Sequence, residues 1–193
     1  MATSKNNVLT HGLSWTVGDL LVFRNRAGKT IVASKPRERV GEYTESQKLH
    51  QHQFQQATLY GQSVMTDPAL KAEYEATAKS GQSAYNVAVA DFFHAPDIDT
   101  IDVSAYTGKA GDTITVKVTD NFKVTGVSVS IYNADGTEVE KGLAVLSVNG
   151  IDWVYTAVTD NASLTGDKIV VQASDLPGHT TSGEQTLWPA GEI

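Results

Sequence analysis

The sequence predicts a mixed α and β fold: an N-terminal β-hairpin and two or three helices, followed by an antiparallel β-sandwich. Three patterns indicate this: a β-prone hairpin at residues 17–34, helical apolar spacing over residues 44–93, and period-two alternation after residue 97. A chain of 193 residues can form one large or two small domains. The change from helical to period-two spacing near residue 97 therefore predicts two domains, residues 1–96 and residues 97–193.

The first predicted element is the hairpin. Two β-prone runs, residues 20–23 and 30–32, flank a turn that contains Gly28. Pro36 lacks the N–H group that a strand donates, so it is expected to end the second strand. Because an isolated hairpin is marginally stable in water, we expect its unpaired edges to be covered by another surface, which could be on another chain.

Helices are predicted next. Thr44 and Gln47 have the spacing of a capping box. Asp67 and Pro68 begin a second helix as its N-cap and first residue. Residues 83–93 form a third candidate, which lacks a polar face and should be buried. The first helix carries an imperfect apolar stripe of Leu49, Phe54, Ala57, Tyr60 and Val64.

Short strands fill the C-terminal half. Residues 113–119 and 127–132 alternate between apolar and polar side chains, so each run has one core face and one solvent face. A strand beginning at Leu143 is expected to form a hairpin with residues 151–157 across an Asn-Gly turn. About seven such strands with frequent turns are typical of a β-sandwich.

Four motifs lie in this half: Asp112-Thr-Ile-Thr-Val, Thr119-Asp-Asn-Phe, Val127-Ser-Val-Ser-Ile and Ala173-Ser-Asp-Leu-Pro-Gly-His-Thr-Thr. Over residues 98–187 the sequence resembles the bacterial immunoglobulin-like repeats of surface and adhesion proteins. The resemblance implies an immunoglobulin-like antiparallel β-sandwich and is poorly informative about function. His179 stands where those repeats usually carry Asn.

The N-terminal half has a separate pattern, formed by Gly12, Gly18, Phe23, Gly28-Lys29, Lys35-Pro36 and residues 44–47. It resembles uncharacterised Bacteroidota and phage-associated proteins. That resemblance implies a biological context and no particular chemistry.

Charge is distributed unevenly along the chain. Residues 1–97 carry ten lysines and arginines against nine acidic residues, whereas residues 98–193 carry five against thirteen. The segment from Arg24 to Arg39 is a basic block of the first half. Such a block could bind phosphate, an acidic membrane surface or an acidic protein face. Nucleic acid is disfavoured because strand alternation separates the aromatic residue next to the block, Phe23, from Arg24. We expect an assembly contact through Arg24, Arg26, Lys29, Lys35, Arg37 and Arg39.

The sequence offers little catalytic chemistry. It contains no cysteine and no recognisable nucleophile, phosphate-loop or zinc-protease motif, so we expect no enzyme activity and no cofactor. His50 and His52 have the wrong spacing for a helical metal pair. Calcium is the one cofactor that the acidic residues could bind, and the alternative role for them is to form turn hydrogen bonds. The candidate ligands are Asp97, Asp99, Asp102, Asp120 and Asp175.

Tryptophans could bind sugar if they were exposed together. Trp153 alternates with Tyr155 in a predicted strand, so it is expected in the core. Trp15 and Trp188 are harder to place. The sequence also predicts no polar side chains beside these tryptophans that would bind sugar hydroxyls, so carbohydrate binding has no further support.

We therefore expect a non-enzymatic structural or accessory subunit of a larger bacterial or phage-related assembly. The N-terminal part would dock onto other protein subunits, with self-association head to tail, and the immunoglobulin-like domain would be displayed. The alternative is an adhesin-like module that binds carbohydrate or a cell surface. Without a secretory signal or an apolar run near ~20 residues, we expect cytoplasmic synthesis and no membrane insertion. The chain could still belong to a released or extracellular particle.

Overall fold

The computed structural model describes residues 2–4, 14–18, 20–26, 28–36 and 41–188. The chain divides into two compact units, Met1–Val89 and Ala90–Ile193. The described residues form three helices and three antiparallel sheets, so the fold is of the predicted mixed class. The first strand of the C-terminal unit begins at Asp97.

A four-stranded antiparallel sheet lies in the N-terminal unit. Its strands are β1 (Ala2–Ser4), β2 (Thr16–Val17), β3 (Leu21–Arg26) and β4 (Lys29–Ser34), in the order β1-β4-β3-β2. Strands β3 and β4 form the predicted hairpin, which is tighter than expected because Arg26 already pairs with Lys29. At this turn Gly28 has a φ of 72°, a left-handed value that glycine adopts without a Cβ clash.

The surface that the hairpin is expected to need is supplied by two short strands of the same chain. Strand β1 pairs with β4, Thr3 opposite Ile31, and β2 pairs with β3, Thr16 opposite Val22. Strands of two or three residues carry no alternation that the sequence could reveal. Their pairing depends on contacts with the rest of the sheet rather than on local propensity.

Three helices follow: α1 (Glu45–Thr66), α2 (Pro68–Thr77) and α3 (Ala84–Asp91). The predicted capping box begins α1, since the Gln47 N–H donates to Thr44 Oγ1 and the Thr44 N–H donates to Gln47 Oε1. Asp67 caps α2 as predicted, accepting from the Ala69 N–H at 2.8 Å. Within the described part of the chain, no helix is both long and apolar enough to cross a membrane.

The predicted apolar stripe of α1 is buried only in the second half of the helix. Ala57 and Val64 are buried, whereas Leu49 and Phe54 are 61% and 53% exposed. The helical spacing identified the apolar positions correctly, but it could not show where along the helix the neighbouring elements end.

A glycine allows α1 and α3 to approach closely. A Cβ atom on Gly61 would lie 2.7 Å from Val89 Cγ2 and 2.9 Å from Tyr85 Cε2. A hydrogen bond of 2.7 Å between the hydroxyls of Tyr60 and Tyr74 joins α1 to α2. The three helices therefore form a small, tightly fitted packing centre.

Two four-stranded antiparallel sheets form the C-terminal unit. Sheet 1 has the order β5-β6-β10-β9 and contains β5 (Asp97–Asp102), β6 (Thr113–Thr119), β9 (Val145–Leu146) and β10 (Asp152–Thr156). Sheet 2 has the order β12-β11-β7-β8 and contains β7 (Val124–Tyr132), β8 (Glu138–Leu143), β11 (Lys168–Asp175) and β12 (Thr180–Thr186).

One buried apolar cluster joins the two sheets. It takes alternate side chains from the inner strands, as the period-two pattern predicts. The arrangement is consistent with a β-sandwich. Its fully buried members include Ile114, Val116, Val127, Val129, Ile131, Ile169, Val171 and Ala173.

The predicted strand that begins at Leu143 is broken at Ala144. Leu143 ends β8 in sheet 2, and Val145 begins β9 in sheet 1. Between them Ala144 is buried, and its N–H donates to the Val127 carbonyl at 2.8 Å. The chain therefore changes sheets at this residue, while the turn at residues 149–150 joins β9 to β10 as predicted.

Candidate docking surfaces

The described part of the basic block lies on the N-terminal sheet. Lys29 and Ile31 are two residues apart on β4 and therefore share a face, and Arg24 lies opposite Ile31 on β3. Arg24 and Lys29 are both exposed, so the sheet brings two cations to one face. Lys35 follows β4 and is also exposed.

The other members of the block give less structural information. The backbone of Arg26 ends β3, but its side chain is outside the described part of the structure. Arg37 and Arg39 lie outside the described residues. A continuous basic surface over all six residues therefore stays a prediction.

Exposed apolar side chains lie on the same sheet. Trp15, Val17, Leu20 and Leu21 lie on or beside β2 and the start of β3, and each is at least 40% exposed. The Trp15 carbonyl accepts the N–H of Phe23 at 2.8 Å, which fixes this segment to the sheet. Single exposed apolar residues are normal, but four within one short segment form a patch of the kind found at interaction sites.

The first half of α1 is also exposed. Every residue from 45 to 56 is exposed, so no face of this half of the helix is buried. Tyr43, Leu49 and Phe54 are exposed here, and Leu59 follows at 64%. Because most helical stability in proteins comes from packing of an apolar face, contact with another surface would stabilise this segment.

The five candidate calcium ligands do not come together. Asp102 accepts the Ser104 N–H, and the hydrogen bonds from Ser104 lower the pKa of this carboxyl group. Asp120 Oδ2 accepts the Lys123 N–H at 2.8 Å. Among the described residues, no group of three or more His, Asp or Glu side chains could hold a metal ion. Asp102 and Asp120 therefore form the hydrogen bonds of turn residues.

Asp175 and His179 close the turn between β11 and β12. The Asp175 side chain is fully buried, and its Oδ1 accepts the N–H groups of Gly178 and His179 at 2.7 and 2.6 Å. Its Oδ2 lies 2.8 Å from Nδ1 of His179, whose ring packs edge-on against Phe92. His179 is therefore engaged in the turn itself.

The other histidines offer no metal site in the described structure. His50 and His52 are exposed on α1. His94 Nδ1 lies 2.8 Å from the Ala90 carbonyl oxygen, one helical turn earlier. His11 lies outside the described residues.

A pocket of about 320 Å³ opens at one end of sheet 1. The end of β6, the β6–β7 loop and the β9–β10 hairpin form its walls. Trp153, Leu146 and Ile151 supply apolar surface, and Asp120 and Lys123 supply polar groups. The Oδ1 atom of Asp120 is buried and has no hydrogen-bond partner in the described structure. The volume is at the lower end of the range for small-ligand sites.

Glu140 is a buried carboxylate that sequence reasoning missed. Its Oε2 accepts the N–H groups of Val158 and Thr159, both at 2.9 Å. The hydroxyls of Tyr106 and Tyr155 are buried as well. Burial and the negative charge of Glu140 raise the pKa of Tyr155 to about 12. Glu138 and Glu140 alternate along β8, and this spacing in the sequence gives no sign that Glu140 is buried.

The tryptophans do not share one environment. Trp153 is 8% exposed and belongs to the apolar core, as predicted. Trp15 and Trp188 are 56% and 67% exposed. Because Trp153 is buried, the three tryptophans do not form one exposed sugar-binding surface, although Trp153 still lines the pocket.

Comparisons with known proteins add little. No family model matches the sequence, and no curated protein matches it significantly. Among solved structures, the chain is similar in part to the crystal structure of an engineered protein, at 17% sequence identity and a TM-score of 0.33. That alignment covers 55% of this chain and 30% of the engineered protein. A similarity of this size carries no argument about fold or function.

Proposed function

We propose that this chain is a non-enzymatic structural or accessory subunit of a larger bacterial or phage-related assembly. The N-terminal unit docks onto other protein subunits, including further copies of this chain. The C-terminal unit, an immunoglobulin-like β-sandwich, is displayed. The sequence resemblances of the two halves supply the biological context for this proposal.

The observation that carries the proposal is the exposed apolar surface of the N-terminal unit. Few large side chains in its described part are fully buried, among them Val64 and Tyr74. Because burial of apolar surface drives most protein association, a partner that covers this surface would stabilise both molecules. Eight large apolar residues of the unit are at least 40% exposed: Trp15, Val17, Leu20, Leu21, Tyr43, Leu49, Phe54 and Leu59.

Charge supports self-association as the form of docking. Arg24 and Lys29 make one face of the N-terminal sheet positive, and residues 98–193 carry an excess of acidic residues. Unlike surfaces that meet on different copies form a heterologous contact, which closes into a ring or continues as a filament. The contact would be steered by charge and weakened by salt.

Strand order supports the immunoglobulin-like assignment. The order β5-β6-β10-β9 corresponds to strands A-B-E-D of an immunoglobulin sheet, and β12-β11-β7 corresponds to G-F-C. Strand β8 adds a fourth strand beside β7, in the position of C′. The buried tryptophan of immunoglobulin domains lies on strand C. Trp153 lies instead on β10, the equivalent of strand E, so the correspondence is limited to strand order.

An adhesin-like module that binds carbohydrate or a cell surface is the second candidate. The pocket in sheet 1 favours it, because Trp153 and the acidic residue Asp120 both line this pocket. Glycan binding by a monomer would be the signature of this function. Replacing Asp120 with Ala should then abolish that binding.

The size of the purified full-length particle tests the docking proposal. We expect a species larger than a monomer, visible by electron microscopy and light scattering. Leu49→Glu combined with Leu59→Glu should shift it towards the monomer, because both side chains are exposed on α1. Val158→Glu, at an exposed valine of the C-terminal unit, is the matched control and should leave the particle unchanged. A monomer that binds glycans would favour the adhesin-like function.

A further inference from the structure

The turn between β9 and β10 is open to solvent at its tip. Asn149 and Gly150 are both exposed, and Val148 before them is 107% exposed. Gly150 has a φ of 74°, and a Cβ atom there would meet no atom of the described structure within 4 Å. Because few contacts hold such a turn, it opens locally at a small cost in free energy. Asn149 is also the one asparagine of the sequence that precedes a glycine.

The hydrogen bonds of the turn polarise the side-chain amide of Asn149. Its Oδ1 accepts the N–H groups of Ile151 and Asp152, both at 3.0 Å, and its Nδ2 donates to Asp152 Oδ2. Two N–H donors on a carbonyl oxygen stabilise the negative charge that develops there when a nucleophile attacks the carbonyl carbon. The Asn149 amide is therefore activated towards nucleophilic attack.

The main-chain nitrogen of Gly150 is the nucleophile that follows this amide in the chain. Its attack on Asn149 Cγ closes a five-membered ring, and a residue without a Cβ atom obstructs that attack least. The Gly150 N–H donates to the Ser147 carbonyl at 3.0 Å, so the nitrogen becomes free to react when the turn opens.

We propose that Asn149 is a self-modification site, at which the chain converts asparagine into aspartate and isoaspartate. In the first step the bond between Gly150 N and Asn149 Cγ forms and the bond between Cγ and Nδ2 breaks. The amide nitrogen leaves as ammonia, which takes up the proton of Gly150 N. In the second step one water molecule opens the cyclic imide. Opening at Cγ gives aspartate, and opening at the main-chain carbonyl gives isoaspartate.

Both products change the hairpin. The amide donor to Asp152 is lost, and in the aspartate product a second carboxylate lies beside that of Asp152, where like charges repel. Isoaspartate also lengthens the main chain at the turn, because the chain then runs through Cγ. Gly150 and Ile151 line the pocket in sheet 1, so the conversion alters the wall of this pocket. The reaction is independent of docking by the N-terminal unit.

Peptide mass spectrometry of the full-length chain, incubated at neutral and alkaline pH, tests the proposal. Tryptic cleavage after Lys141 and Lys168 gives one peptide that contains both Asn149 and Asn161. Asn161 is a control within that peptide, because it is buried and its amide donates to Asp167. Protein that has not been incubated gives the background from digestion.

Exposed Asn121, which precedes Phe122, is the second control. We expect Asn149 to convert at least about tenfold faster than either control, because only there does an unobstructed nitrogen follow the amide. The rate should rise with pH, since Gly150 N must lose its proton. Asn149 that stays unconverted, or that converts no faster than Asn121, would overturn the proposal.

Gly150→Asn separates attack by the main-chain nitrogen from direct hydrolysis of the amide. Asparagine tolerates the left-handed φ of this turn, whereas its Cβ atom obstructs the attack. Conversion of Asn149 should slow at least about tenfold. An unchanged rate would show that water attacks the amide directly, and it would overturn the proposed route.

The consequence for the hairpin is tested with the product itself. Asn149→Asp should lower the melting temperature of the chain. Combining it with Asp152→Asn exchanges the amide and the carboxylate, restores a donor opposite an acceptor and should recover most of the loss. A melting temperature that Asn149→Asp leaves unchanged would contradict the loosening of the hairpin, as would a double variant no more stable than the single one.

Discussion

The side-chain amide of Asn161 donates a 2.7 Å hydrogen bond to Oδ2 of Asp167, and both residues are buried. Asp167 Oδ1 accepts the N–H of Ala134 at 3.0 Å, and the Asp167 carbonyl accepts the N–H of Leu187 at 2.8 Å. One buried residue thus holds together the β7–β8 turn, the loop before β11 and the chain after β12.

Replacing Asp167 with Ala should therefore destabilise the C-terminal unit. The substitution leaves the buried side-chain amide of Asn161 and the part-buried N–H of Ala134 without their acceptor, at a cost of about 1 to 3 kcal/mol in the free energy of unfolding. Urea unfolding measures this loss. Glu184→Ala, which removes an exposed carboxylate 3.9 Å from Lys168, is the control and should change stability by less than about 0.5 kcal/mol. Equal losses in the two variants would contradict this role of Asp167.

Trp153 should be the tryptophan on which stability depends most. Its truncation to Ala removes a large buried side chain from the shared core and should cost about 3 to 5 kcal/mol. Trp188→Ala removes an exposed ring and should have little effect. Thermal unfolding of the two variants compares them directly. A small shift for Trp153→Ala would mean that the ring contributes little to the core.

Gly61→Ala should destabilise the N-terminal unit, although alanine is the better helix former by about 1 kcal/mol. The new Cβ would lie too close to Val89 and Tyr85, so α1 and α3 would have to separate. Gln62→Ala, at an exposed position on the same helix, is the control. If Gly61→Ala raised the melting temperature, the close approach of these helices would be disproved.

Tyr155 should make the free energy of unfolding fall as the pH rises through the alkaline range. An unfolded tyrosine ionises near pH ~10, whereas burial and Glu140 raise the pKa of folded Tyr155 to about 12. Between these values the unfolded chain loses a proton that the folded chain keeps, so the free energy of unfolding falls as pH rises. The loss should be on the order of 2 kcal/mol, with no contribution at lower pH.

Tyr155→Phe isolates this contribution, because the other titrating groups are common to both proteins. Urea unfolding at several alkaline pH values should show a steeper loss for the wild type than for the variant. Parallel pH profiles would show that Tyr155 ionises as readily in the folded state as in the unfolded one.

Local signals predicted much of the fold. The capping box at Thr44, the N-cap at Asp67 and the hairpin around Gly28 each depend on a few adjacent residues, and the structure contains all three. The alternating strands are also where the sequence places them, because period-two burial of β-branched residues is decided residue by residue.

Features that depend on distant segments could not be predicted. The pairing of β1 and β2 with the hairpin, the burial of Glu140 and Asp167, and the change of sheet at Ala144 all require knowledge of which strands become neighbours. The sequence predicts one strand beginning at Leu143, and only the sheet order shows that the chain changes sheets at Ala144 and that β9 is an edge strand. The sequence places Arg24 and Lys29 in one basic block, and only the strand register shows that the two residues share a face of the sheet.

Light scattering of the full-length chain at low and high salt tests the central claim, docking through the N-terminal unit, most directly. We expect a large species at low salt that shrinks as salt is added, and Arg24→Glu with Lys29→Glu should lower the mass already at low salt. Lys109→Glu with Lys117→Glu makes the same charge change at exposed positions of the C-terminal unit and should leave the large species in place. A monomer under all conditions would contradict the account, and so would an assembly that responds identically to both pairs of substitutions.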